Sequence, residues 1–121
     1  MKAFLINPIE QKIYEVDYSG DYKQIQMHIG ADLFTVVYIG NKDDIYVDDE
    51  GLLKESNYIF KYKGIDTPLC GKGLVLGVDD EGDSTAPTIT LQELQKNVTF
   101  IGRHNIDHSN MGFTIREWTD A

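Results

Sequence analysis

The apolar residues of this 121-residue chain come in strand-length runs, each closed off by glycine, asparagine or aspartate. A long amphipathic helix needs apolar positions recurring at i, i+3, i+4 and i+7 over several turns, and no stretch here sustains that spacing. The chain is therefore committed to short strands. Thirteen isoleucines and seven tyrosines agree, since β-branched and aromatic side chains suit a pleated, half-buried surface. The fold class expected is α+β: a single domain over residues 1–121, with a mostly antiparallel sheet of five to seven strands and two short helices on one face.

Lys2 to Asn7 (KAFLIN) is apolar at consecutive positions, which predicts a central strand covered on both faces. Lys12 to Tyr18 alternates and predicts its hairpin partner. From Asp21 to Ile29 the period lengthens: Tyr22, Ile25 and Ile29 form one stripe, Asp21 stands at the N-cap and Gly30 where a left-handed terminator belongs, predicting a first helix. Leu33 to Ile39, apolar on both faces, and Asp44 to Asp48 read as a second hairpin. Tyr58 to Lys63 and Leu74 to Val78 read as further strands. Thr90 followed by Glu93 is a capping box that opens a second helix, Leu91 and Leu94 inward, running to about Asn97. Val98 to Gly102 and Gly112 to Trp118 complete the strands.

Eleven Lys and Arg face 20 Asp and Glu, a formal net charge of −9. Nucleic-acid binders gain affinity by neutralising phosphates with basic side chains, so this balance argues against DNA, RNA and anionic membranes. The excess is uneven. Residues 1–53 carry four lysines and ten acids, residues 54–72 four lysines and two acids, and residues 73–121 three basic and eight acidic groups. The pentapeptide VDDEG occurs twice, at Val47 to Gly51 and Val78 to Gly82, with unrelated flanks; it reads as two strand-ending turns, not a duplication. Cys70 stands alone, which forbids an intramolecular disulfide and suits a reducing compartment. With no leader-like core and no membrane-length apolar run, a soluble, cytoplasmic protein is expected.

Chemistry-bearing patterns are few. Asp79, Glu81 and Asp83 alternate as oxygen ligands would, but counting from Asp79 puts Ser84 at the sixth and Thr90 at the twelfth loop position, where a helix–loop–helix calcium site needs Gly and Glu. His104 and His108 share the spacing of zinc-ligand pairs and Asp107 lies between them, making these three the candidate metal ligands, while Asn105 stands where a zinc protease carries its glutamate. Nothing around Cys70 resembles a nucleophile turn. Gly71-Lys72-Gly73 lacks the spacing of a phosphate loop. Lys54 to Lys63 interleaves aromatics with lysines, as single-strand binding platforms do; it also fits a lysine-edged strand with a buried aromatic face. No cofactor fingerprint is present.

Three segments together, the opening KAFLINP, VDDEGLLKESN at 47–57 and PLCGKGLVLGVDDEGD at 68–83, resemble a known family. The chain is similar to the phage-associated domain of unknown function, family 3846, over roughly residues 1–95. The resemblance implies a small protein of a tailed phage or mobile element, with an N-terminal β element and a late glycine-bearing strand leading into an acidic turn. It implies no active site. Residues 100–121 read as an extension beyond the family pattern.

The function expected is that of a non-enzymatic accessory protein acting in the host cytoplasm by binding a macromolecular partner, a host or phage protein. Its acidic turns would make the contact: Asp48, Asp49, Glu50, Asp79, Asp80, Glu81 and Asp83, with Asp43 and Asp44 nearby. The alternative is a small-ligand or divalent-metal-binding domain centred on His104, Asp107 and His108, and a hydrolase stands third.

Overall fold

In the computed structural model, which describes residues 1–49 and 57–104, the first six-residue run forms β1 (Lys2–Asn7) with Ala3, Phe4, Ile6 and Asn7 buried. Both faces of this strand are covered, as its unbroken apolar pattern requires. It folds back on β2 (Lys12–Asp17) in antiparallel register, with Leu5 opposite Tyr14. The Asn7 carboxamide closes the intervening turn, its oxygen accepting from the Ile9 and Glu10 N–H groups at 3.1 and 3.2 Å.

Helix α1 (Tyr22–Ile29) follows. Asp21 caps it by accepting from the Lys23 N–H, and Gly30 ends it at φ 70°. Strands β3 (Phe34–Gly40) and β4 (Asp43–Asp48) form the second hairpin, turning through Asn41 and Lys42, both at positive φ. Those dihedrals match the right-handed strand twist, which favours such two-residue turns.

After β5 (Asn57–Tyr62) and the short β6 (Leu69–Cys70) comes β7 (Gly73–Val78), the central strand of the main sheet. That sheet runs β2-β1-β7-β4-β3, with β8 (Ser84–Thr85) also against β7, making six antiparallel strands. Helix α2 (Leu91–Asn97) opens at Thr90, whose hydroxyl oxygen accepts from the Glu93 N–H, and runs into β9 (Val98–His104). A second, three-stranded sheet runs β6-β5-β9. The α+β class and the sheet size are those the sequence predicts.

Two core clusters lie on opposite faces of the main sheet. Leu74 and Leu76 of β7 pack with Ala3, Tyr18, Ile25 and Ile29 under α1. Val75, pointing the other way by strand alternation, packs with Phe4, Ile45, Phe60 and Leu94 beneath the second sheet and α2. The two helices, expected together on one face, are thus separated by the sheet. The reason is the unbroken apolar run of β7: a strand buried on both sides needs a cover on each. Full burial of a side chain such as Leu94 contributes about 1.5–3 kcal/mol.

Three further expectations shift. Tyr22, assigned to the inward stripe of α1, is 58% exposed, and Tyr18 at the end of β2 fills the core in its place. Strand β3 lies at the edge of the main sheet, leaving Tyr38 67% exposed. Strand β5 is the middle strand of its sheet, not a lysine-guarded edge. Among the described residues no helix is long and apolar enough to cross a membrane.

Candidate functional site

The two VDDEG turns end neighbouring strands that run in opposite directions. Val47 of β4 pairs with Gly73 at the start of β7, and Asp43 pairs with Gly77 near its end. Asp48 and Asp49 therefore emerge at one end of the sheet, and Asp79 to Asp83 at the other, beside the Asn41-Lys42 turn, where the Val78 N–H donates to the Lys42 carbonyl at 2.8 Å. At a rise of about 3.3 Å per residue, the five steps from Asp43 to Asp48 put the two ends of the strand roughly 17 Å apart. They make two sites, not one patch.

The turn after β7 is held from within by its first acid. The Asp79 carboxylate accepts from the Glu81 and Asp83 N–H groups, both at 2.9 Å, and the Asp79 N–H donates to the Asp83 carbonyl at 2.9 Å. Gly82 completes it at φ 88°, a left-handed conformation that favours glycine. Asp79, Asp80, Glu81 and Asp83 are all exposed. Lys42 reaches across from the β3–β4 turn to pair with Asp80. An exposed pair of this kind adds little to stability.

At the other turn, Asp48 is half-buried and Asp49 is exposed, its N–H donating to the Leu33 carbonyl at 3.1 Å. Glu50 lies outside the described residues. Asp43 points inward, 1% exposed, and so is not available to a partner. Its Oδ1 accepts from the Thr88 N–H at 2.8 Å, and its Oδ2 from the Ile89 N–H at 2.9 Å and the Thr88 hydroxyl at 2.6 Å. Asp44 is half-buried, and desolvation, with a smaller push from Asp43, raises its carboxyl above the usual carboxylate range.

Of the metal triad, His104 falls at the end of β9 by its backbone, while Asp107 and His108 lie outside the described residues. Among the described residues no group of three or more His, Cys, Asp or Glu gathers to hold a metal. Cys70 is buried against the core, its thiol pushed up to about 12 by desolvation and then by Asp48, which leaves a protonated, unreactive sulfur. The aromatic and lysine stretch resolves in the same direction: Phe60 and Tyr62 are buried and offer no stacking surface for bases. The His28 Nε2 sits 3.1 Å from the Asp17 carbonyl oxygen, a local contact joining α1 to β2.

Two clefts were not foreseen from the sequence. One, about 520 Å³, lies between the Asn41-Lys42 turn and α2, with Tyr62, Glu93 and Asn97 in its wall. There the Asn97 amide donates to the Tyr62 hydroxyl at 3.1 Å, lowering a phenol that burial otherwise raises. The other, also about 520 Å³, lies between the start of α1 and the acidic turn after β7 and is walled by aromatic rings. Both are made by residues from elements far apart in the chain, so no local motif announces them.

A small α+β domain whose two-faced sheet carries a glycine-bearing central strand into an exposed acidic turn is the class that this geometry defines. The chain belongs to the family described as Domain of unknown function (DUF3846), whose pattern matches residues 1–99. The match takes in the whole main sheet and both helices and stops within β9. No curated protein and no solved structure matches the chain. The glycines of the family-like strand have a packing reason. A Cβ on Gly73 would sit 2.9 Å from Ile45 Cγ2, and one on Gly77 only 2.4 Å from the Ala86 carbonyl oxygen.

Proposed function

We propose that this protein is a non-enzymatic binding protein that engages a basic surface on a partner protein through the acidic turn Asp79–Asp83. The observation that carries the reading is the division of labour within the turn. Asp79 spends its carboxylate on the Glu81 and Asp83 N–H groups, so Glu81 and Asp83, beside Asp80 with its exposed Lys42 pair, project from a preorganised loop. Fixing charges before binding lowers the ordering cost of association, and complementary charge sets on-rate and specificity. The buried thiol of Cys70 and the inward-facing Asp43 offer no nucleophile or general base and support a role without chemistry. A phage or mobile-element origin, and hence a host protein as partner, belongs to the proposal on the strength of the family resemblance.

The test replaces Asp80→Asn, Glu81→Gln and Asp83→Asn together, leaving Asp79 to hold the loop. Affinity capture from host lysate at low and high salt is compared for the two proteins. A partner held by the wild type at low salt, released at high salt and missing from the triple variant is the expected result. Equal capture by both overturns the reading.

A second reading, a small-ligand domain, rests on the cleft beside the Asn41-Lys42 turn, where the buried Tyr62 hydroxyl accepts from Asn97 and keeps its own proton free to donate among the described residues. A thermal-shift screen addresses it, because a ligand at 100 times its dissociation constant adds about 2.7 kcal/mol.

A further inference from the structure

The cleft beside the acidic turn has an unusual lining. Tyr18, Tyr22, Phe34 and Tyr46 wall it, Asp83 lines it as well, and no lysine or arginine among the described residues does. Its aromatics come from four places in the chain: the end of β2, the first residue of α1, the first residue of β3 and the middle of β4. Phe34 and Tyr46 pack edge to face, centroids 5.4 Å apart at 71°, and Tyr18 is only 2% exposed. Tyr22 is the exception, an aromatic ring that core packing does not use and that remains largely exposed where the helix meets the cleft. Gly20 and Gly82 also line the cleft, both at positive φ.

Among the described residues, Asp83 is the charged side chain that lines this cleft. The Tyr18 and Tyr46 hydroxyls are raised first by burial, and Ser84 hydrogen-bonding pulls both the other way. Electrostatic pushes in the raising direction come from Tyr46 and then Asp21 on Tyr18, and from Asp44 on Tyr46. Aromatic faces attract a cation by their quadrupole, and the attraction grows as the cation is desolvated. A guanidinium adds planar stacking on tyrosine and a fork of donors that matches a carboxylate, which an ammonium lacks. At about 520 Å³ the cleft falls within the range of roughly 300–1,000 Å³ seen for ligand sites.

We infer that this aromatic cleft receives an arginine side chain of the partner, its guanidinium stacked on the exposed Tyr22 ring and paired with Asp83. The inference rests on the acidic-turn reading above and names what that turn docks. The turn supplies general attraction to a basic segment; the cleft selects arginine over lysine within it.

The experiment titrates the full-length protein with three pentapeptides, Lys-Lys-Arg-Lys-Lys, the same peptide with lysine at the centre, and one with trimethyl-lysine there, followed by calorimetry and by NMR shifts of the tyrosine rings. Wild type is expected to bind the arginine peptide about threefold to thirtyfold more tightly than the lysine peptide, the span that cation–π energies convert to. Tyr22→Leu, at an exposed position that leaves both cores intact, should erase that preference while retaining lysine-peptide binding. Asp83→Asn, whose side chain holds nothing in the turn, should reduce it independently. The triple acidic variant should weaken all three peptides. Equal binding of arginine and lysine peptides by the wild type, or an arginine preference that survives Tyr22→Leu, overturns the cleft assignment and leaves the acidic turn standing if the triple variant still loses affinity. Tighter binding of the trimethyl-lysine peptide overturns it in favour of an alkylammonium site. No binding of any peptide overturns both.

Discussion

Asp43 and Thr88, 45 positions apart in sequence, are joined twice: the Thr88 N–H donates to Asp43 Oδ1 at 2.8 Å and the Thr88 hydroxyl lies 2.6 Å from Oδ2. The same hydroxyl lies 3.0 Å from the Asn41 carbonyl oxygen, but it has one proton to give, and the shorter contact to a charged oxygen takes it. This latch ties the β3–β4 turn to the segment entering α2, and so fixes the cleft between them.

Breaking the latch should therefore be costly in a graded way. Asp43→Ala strands the Thr88 and Ile89 N–H groups and is expected to cost about 3 kcal/mol, since each unsatisfied buried donor forfeits about 1–3 kcal/mol. Asp43→Asn, which turns one acceptor into a donor, should cost less, and Thr88→Val, which keeps the backbone donor, about 1 kcal/mol. Urea midpoints at constant m-value measure the series. A Thr88→Val loss equal to that of Asp43→Ala would show that the carboxylate's other bonds carry nothing.

The central strand yields the second expectation. Gly77→Ala drives a Cβ to 2.4 Å from a backbone carbonyl, whereas Gly73→Ala meets the tips of Ile45 and Phe60, which can shift. Overpacking typically costs about 1–3 kcal/mol, so Gly77→Ala should fall at or beyond the top of that span and Gly73→Ala near its bottom. Thermal unfolding ranks them, and the reverse order would mean that the β7–β8 turn gives way more easily than the core.

Much of the fold was legible because its signals are local. Period, turn residues and caps act over four or five positions, so β1, α1 with Asp21 and Gly30, and the Thr90-to-Asn97 helix fall where the sequence puts them. What was not legible is long-range. The unbroken run in β7 showed that both its faces are buried but not which elements bury them, so the helices were placed together. Tyr22 fits the helical stripe by spacing, yet it is Tyr18, just after β2, that packs in the core while Tyr22 stays exposed. The acidic turns were visible as composition. That Asp43 turns inward and Asp79 serves its own loop depends on Thr88 and on turn geometry, neither of which charge counting reveals.

Asp44 links charge to stability. Its carboxyl is raised from the ordinary 3.8, by desolvation first and by Asp43 second. A raised folded-state value means that the native state holds this proton more tightly than the unfolded chain, so the contribution is favourable below about pH 3.8 and is lost as pH rises through the folded value. Asp44→Asn should thus be more stable than wild type at pH 7, with the difference narrowing as the pH is taken toward 3. Chemical denaturation of both proteins across that range decides it, and a pH-independent difference would assign the effect to packing.

The last expectation concerns Cys70. Burial, then Asp48, raises its thiol from 9.0 to about 12, so at pH 8 the thiolate fraction falls on the order of a thousandfold below that of a free cysteine. Thiolate is the reacting species, and access is closed as well. Ellman's reagent at pH 8 should therefore label the native protein only as fast as it opens, with the rate rising with urea in step with unfolding, and label the urea-unfolded chain at once. Prompt, urea-independent labelling of the native protein would place the sulfur at the surface and reopen the question of a nucleophile. Slow labelling that tracks opening leaves the chain with no reactive thiol.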